Sequence, residues 1–277
     1  MTATLLDIAP DDYHARPAFS SSLAKILLDR SPLHARQARG KLPTKQMDRG
    51  TAGHTFLLGK GKRIAPVPFD TYHTKAAKQT RDNYRAAGIV PLLHADYSAA
   101  ENLAEELHHR LKEEHLKDPR VPAELDGISE QAMEWHEESD SGPVLCKGLM
   151  DHVWLARGLI LDLKIVEDAS PASIERSAEN LGYAIQAAAY TSGLSKVLPQ
   201  LAGRVKFLFL FVEWDPPYAM NIVEPDGMFR ELGERRWRRA VETWGRCLKT
   251  GDWPAYGTGI HRISPPTWAL SREGYSL

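Results

Sequence analysis

Apolar positions change their spacing about halfway along the chain. Up to about residue 125 they recur at helical intervals: FSSSLAKILLDRSP offers a serine cap and a short helix, and Ser31 before Pro32 opens a second. Residues 47 to 59, MDRGTAGHTFLLG, predict a third helix with small residues along one side, and 74 to 87 and 97 to 116 predict two more. From about 129 the period shortens. SEQAMEWHEE, GPVLCKGLMDHVWLA, LILDLKIV and later VKFLFLFVEW have the β-branched and aromatic content of strands. Between the last two, SIERSAENLGYAIQAAAYTSGLSKVL predicts an alanine-rich helix crossing back over the sheet, and 227 to 249 predict a final helix. The pattern gives an αβββαβ core of α/β class in one domain. Residues 1–125 form its mainly helical part, 126–225 its sheet and crossover helix, and 226–277 its C-terminal helix and tail.

Residues 149 to 166, LMDHVWLARGLILDLKIV, place Asp151, Asp162 and Lys164 inside an apolar run. Charged side chains are seldom buried unless paired or bound to a metal. A two-residue turn at Arg157-Gly158 would pair Ala156 with Leu159, setting Asp151 opposite Lys164 and Val153 opposite Asp162. Residues two apart in a strand share a face, so the two acids and the lysine converge. Carboxylates a few ångströms apart repel, and a divalent cation relieves them. Oxygen ligands with room for water suit Mg²⁺ or Mn²⁺ better than zinc. A lysine beside such a cation can orient or help deprotonate a water near a scissile phosphate. A plain Asp151–Lys164 salt bridge with Asp162 facing solvent accounts for the same residues.

Composition narrows the choice of partner. A net charge of −1 and a pI near 6.8 argue against a nucleic-acid binder that relies on bulk positive charge. The charge is nevertheless sorted along the chain. Residues 25 to 49 and 60 to 85 each hold seven Lys or Arg against two acids, whereas 101 to 140 hold thirteen acids against four bases. Solvated helix faces explain this, and so does an anionic partner for the basic half. No run of 18 apolar residues occurs, and the opening MTATLLDIAPDDYHARP has neither a basic start nor an apolar core. A cytoplasmic protein is expected, with Cys146 and Cys247 as reduced thiols.

The motifs form an ordered series. Gly148-x-x-Asp151 and Asp162-x-Lys164 are followed by Gln186-x-x-x-Tyr190 in the next helix, with His54 upstream in GTAGHTFLLG. With FSSSLAKILLDRSPLH, DLKIVEDAS, GYAIQAAAY, Pro217-Tyr218 and GDWPAY, this series resembles the RecB-type branch of the PD-(D/E)xK nucleases over nearly the whole chain. Within that branch it is most similar to the phage and prophage exodeoxyribonuclease VIII nuclease domain. The resemblance implies a central mixed sheet flanked by helices and an added N-terminal helical region. It also implies a Mg²⁺-dependent exonuclease, with Mn²⁺ as a substitute, that degrades linear double-stranded DNA from 5′ ends and leaves 3′ tails for recombination. Metal ligation then falls to His54, Asp151 and Asp162, catalysis to Lys164, and support of the site and nearby DNA backbone to Gln186 and Tyr190. A ring-like homo-oligomer and a phage single-strand annealing protein are implied as partners besides DNA ends. Two departures stand out: Leu149-Met150 replaces the family's usual Arg-Pro, and Ile165-Val166 its usual Thr-Thr. They bear on substrate contacts close to the site.

Other residues compete for attention. Glu130 and Glu134 alternate on a strand beside the site and offer a further acid or an exposed sheet face. His108, His109 and His115 lack an HExxH pattern and are expected to face solvent. An endonuclease of the same fold, or a DNA-binding recombination adaptor without turnover, are the alternative functions.

Overall fold

The computed structural model describes residues 3–38, 43–257 and 259–274, so Arg39 and Lys41 of the first basic segment lie outside the described residues. The strands are β1 (Thr4–Leu6), β2 (Ile64–Val67), β3 (Val90–Leu93), β4 (Ile128–Glu137), β5 (Val144–Trp154), β6 (Leu159–Val166), β7 (Lys206–Glu213) and β8 (Met220–Val223). The N-terminal helices are α1 (Pro10–Ala15), α2 (Ser21–Asp29), α3 (Pro32–Arg36), α4 (Lys45–Leu58), α5 (Lys75–Ala86) and α6 (His94–Lys117). Later come α7 (Pro171–Leu181), α8 (Tyr183–Val197), α9 (Gly227–Thr250) and α10 (Thr267–Arg272).

Side-chain caps start the helices where the sequence offers them. Ser20, Ser31, Thr44 and Thr74 accept from backbone amides of the first turns of α2, α3, α4 and α5. The expected single crossover helix is instead two. Gly182 takes the left-handed conformation (φ 70°) between α7 and α8, a helix stop that any side chain would oppose.

Six strands form one mixed sheet in the order β1-β4-β5-β6-β7-β8, and β2 pairs with β3 separately. Neighbours run antiparallel except β6 and β7, which are parallel and are joined through α7 and α8. Each face of the sheet carries its own core. On one, Ala24, Trp135, Ala189, Leu194 and Trp237 bring together α2, α8, α9 and the sheet. On the other, Leu103, Leu107, Leu161, Leu163 and Ala52 join α4 and α6 to β6. At roughly 25 cal/mol per Å² of apolar surface removed from water, these two layers dominate the stability of the sheet. The parallel β6 is therefore covered on both faces, as an almost uninterrupted apolar strand requires.

Ion pairs between the N-terminal helices account for part of the charge sorting. Arg49 and Lys45 of α4 hold Asp96 of α6, and Arg85 of α5 holds Asp48 of α4. Cys146 and Cys247 are buried free thiols. No helix among the described residues is long and apolar enough to cross a membrane.

Candidate active site

The β5–β6 hairpin differs from its expected register. Four residues, Leu155 to Gly158, form the turn, and Val153 pairs with Ile160 while His152 pairs with Leu161. A two-residue turn of the favoured hairpin type needs φ > 0 at both positions, and here only Gly158 (φ 60°) meets that condition. Pairing is thus shifted by two residues, and Asp151 is not opposite Lys164. An even shift preserves faces within the ladder, and beyond it Asp151 lies near enough to Asp162 and Lys164 for their charges to act on one another.

Beyond His152 the ladder gives way. The Leu163 amide donates to Asp151 Oδ2 at 2.8 Å, so a side chain replaces a strand carbonyl as its acceptor. On the other flank, β4–β5 pairing includes Ser129 with His152 and Gln131 with Met150, but skips Glu130 across from Asp151. Glu130 has φ 51°, and Met150 and Val153 both enter the same core despite being three apart. The register is the same on both sides of this gap, so no residue is inserted; the ladder is broken at a single pair, where the left-handed Glu130 backbone turns its side chain out of regular alternation.

Four elements meet at this break. His54 comes from α4, where Gly53 lets the helix lie against Ile165; a Cβ there would come within 3.0 Å of that side chain. His54 Nδ1 lies 3.6 Å from Asp151 Oδ2. Burial, then the Lys164 charge, lower the His54 pKa to about 4 against the pull of Asp162, so the imidazole is neutral near pH 7. Its contact with Asp151 is then not an ion pair.

Asp162 is fully buried, which rules out the reading that left it facing solvent. Its Oδ1 accepts from Gln186 Nε2 at 2.6 Å, and Lys164 lies against Oδ2 as an ion pair. Gln186 Oε1 accepts from Lys164 Nζ at 3.1 Å, so one amide from α8 spans both members of the pair. The Lys164 ammonium also lies 4.8 Å from the centre of the Tyr183 ring. Tyr190, two turns along α8, is buried with its ring against Gly148, whose missing side chain makes the room.

The electrostatics are those of a crowded acidic site. Burial raises Asp151 and Asp162 to about 6, with Lys164 opposing both shifts. Burial, then Asp151, raise Glu130 to about 7 against the pull of Lys60. Burial works against the Lys164 charge, but Asp162 and Asp151 outweigh it and push its pKa up. Asp151 and Asp162 thus share the Lys164 ammonium, while the cation acting on Glu130 is Lys60.

These residues fit a divalent cation. Donor atoms of His54, Glu130 and Asp151 all lie within 4.8 Å of one another. Asp162 Oδ2 is buried without a directed hydrogen bond, despite its ion-pair contact. Oxygen donors with one imidazole suit Mg²⁺ or Mn²⁺. Asp162 lies outside the trio defined by the 4.8 Å spacing, and Glu130 lies within it. Glu130 and Glu134 stand on equal terms in the sequence, but Glu134 is occupied by the Arg16 guanidinium, which forks onto it. His109 faces solvent beside Glu113, whereas His115 is half-buried and its Nδ1 lies 2.7 Å from the Val121 carbonyl oxygen. Of the two departures, Met150 is buried in one core and Ile165 packs against the other, beside Gly53.

Comparison with known proteins bears on the fold. A family model described as a PDDEXK-like domain of unknown function (DUF3799) matches residues 28–263. The crystal structure of a Eubacterium rectale protein provisionally called an exonuclease superposes with a TM-score of 0.55, covering 97% of this chain and 99% of that one at 14% identity. A phage-related exonuclease from Haemophilus somnus gives a TM-score of 0.33 over 83% of this chain and 94% of that one at 11% identity, too low to carry an argument. No curated protein matches the chain.

Proposed function

The chain belongs to the family of PDDEXK-like domains of unknown function (DUF3799), and from that premise we propose that it is a divalent-metal-dependent exonuclease acting on linear double-stranded DNA. Its fold is that of the PD-(D/E)xK nucleases. The observation that carries the activity is the Asp162–Lys164 pair, spanned by Gln186 and set beside the His54, Glu130 and Asp151 donors.

In this reading His54, Asp151 and Asp162 hold the cation. The chemistry a divalent cation supplies at such a site is acidification of water and neutralisation of phosphate charge. Asp151 is held in place by the Leu163 amide, and the neutral imidazole of His54 keeps a lone pair free for ligation. Lys164, with its pKa raised, is an ammonium at neutral pH. It therefore donates to the scissile phosphate and the attacking water, stabilising developing negative charge, and is not itself a base. Gln186 fixes the distance between Lys164 and Asp162, while Tyr190 and Gly148 set the height of β5 beneath Asp151.

Degradation from 5′ ends to leave 3′ tails for phage-type recombination belongs to the same proposal, as do a ring-like homo-oligomer and an annealing-protein partner in the cytoplasm. Mg²⁺ is the proposed cofactor, with Mn²⁺ able to replace it. Incubating the protein with linear and with covalently closed circular duplex DNA, plus Mg²⁺ or plus chelator, tests the activity. An exonuclease consumes only the linear form and only with the metal. Loss of both forms points to an endonuclease, and loss of neither to a DNA-binding adaptor.

A further inference from the structure

Glu130 has no place in the Asp, Asp-x-Lys and His motifs, yet the fold carries it to their centre. It lies across β4–β5 from Asp151, at the one position where that ladder skips a pair. Its backbone takes φ 51°, a conformation in which glutamate is uncommon. The effect is to aim the carboxylate out of strand alternation, so that one of its oxygens falls within 4.8 Å of donor atoms on both His54 and Asp151. A structural acid would not be expected there, because it adds a second carboxylate beside Asp151 with burial on both.

Asp162 adds a second observation. It is fully buried, its Oδ1 is committed to Gln186, and its Oδ2 has the Lys164 ammonium against it but no directed hydrogen bond, so one lysine serves an acid pair that Asp151 and Glu130 enlarge. Resting on the metal-dependent reading above, we infer that Glu130 is a metal-holding residue of this site, completing with His54 and Asp151 a donor set to which Asp162 contributes from the neighbouring strand. The first cation ligands then come from a helix and three adjacent strands. This arrangement accounts for the broken pair in the β4–β5 ladder: a regular strand would leave Glu130 in alternation with Ser129 and Gln131, without its re-aimed side chain.

The test is Glu130→Gln, which keeps the size of the side chain and so leaves the unusual backbone as it is. Mn²⁺ alone is titrated calorimetrically into wild type, Glu130→Gln and Asp151→Asn, with melting temperatures recorded with and without Mn²⁺. Glu130→Gln is expected to weaken Mn²⁺ binding by on the order of 10-fold or more and to shrink the Mn²⁺-induced rise in melting temperature, while melting normally without metal. Wild-type Mn²⁺ affinity in Glu130→Gln, alongside lost affinity in Asp151→Asn, overturns the role of Glu130 and leaves the metal site standing. Absence of Mn²⁺ binding by wild type overturns both. Should Glu130→Gln melt low without metal, Glu130→Asp provides the second measurement. Aspartate tolerates this backbone better and keeps the charge, so recovered Mn²⁺ binding supports the inference, and recovered folding with wild-type-like binding in Glu130→Ala contradicts it.

Discussion

The backbone amide of Leu163 donates to Asp151 Oδ2 at 2.8 Å, across the point where β5 and β6 cease to pair. One contact does two jobs. It satisfies an amide that the interrupted ladder would otherwise leave buried, and it fixes an acid that electrostatics alone would push away from Asp162. The donor atoms of His54, Glu130 and Asp151 gather where the ladders on both sides of Asp151 are interrupted, so the site is a consequence of how the strands separate.

Metal affinity should depend on pH through the carboxylates. Asp151 and Asp162 are raised to about 6 and Glu130 to about 7, whereas His54 is lowered to about 4 and so is already neutral. Protons compete with the cation for the acids, so Mn²⁺ affinity is expected to rise from about pH 5.5 to pH 8. In the metal-free protein, acids raised in this way contribute stability in full below their unfolded pKa of about 4 and lose it as pH climbs through 6 to 7. His54 and His152, both lowered to about 4, act in the opposite sense below pH 6.5. The measurement is therefore the Mn²⁺-induced change in melting temperature, which should be larger at pH 8 than at pH 5.5. Equal shifts at both would contradict the carboxylate assignment.

Gln186 is expected to matter through geometry. Gln186→Leu leaves Asp162 Oδ1 without its 2.6 Å donor and Lys164 without its 3.1 Å acceptor. An unsatisfied buried group costs about 1–3 kcal/mol. Single-turnover cleavage should fall by on the order of 10-fold or more, with DNA affinity little changed. A variant that cleaves at the wild-type rate would remove Gln186 from the site.

Much of this was legible in advance because it is local. The caps at Ser20 and Ser31, the strand-like runs and the Asp-x-Lys on one face follow from residue type and period. What the sequence hid is longer in range. The hairpin register turned on whether Arg157 would adopt φ > 0, which it does not. Short edge strands such as β1 and β8 carry too few residues for a pattern to show. Glu130 and Glu134 looked alike in alternation, and only the left-handed backbone of one and Arg16 on the other told them apart. Gly182 could have been read as a helix stop, since it follows an apolar residue at a natural C-terminus.

Gly148 makes a stability prediction. A Cβ there would meet the Tyr190 ring and the Met133 methyl at 3.0 Å inside a filled core. Gly148→Ala should destabilise the fold by about 1–3 kcal/mol and reduce cleavage further than stability alone explains, because β5 carries Asp151 three residues on. Chemical denaturation gives the first quantity, and cleavage well below the melting temperature gives the second. An unchanged denaturation midpoint would contradict the close packing.

In the proposed activity Lys164 stabilises charge at a scissile phosphate beside a metal held by Asp151, Asp162 and His54. The most direct measurement is single-turnover cleavage of linear duplex DNA by Lys164→Met at saturating enzyme and Mg²⁺, with DNA affinity and melting temperature recorded on the same protein. Lys164 contacts Asp162 and Gln186, so a purely structural lysine would show its loss in melting and lose activity only in proportion. The account predicts retained DNA and metal binding with the chemical step slowed on the order of 10²-fold or more. A Lys164→Met protein that melts and binds DNA normally and still cleaves within a few-fold of wild type would contradict it.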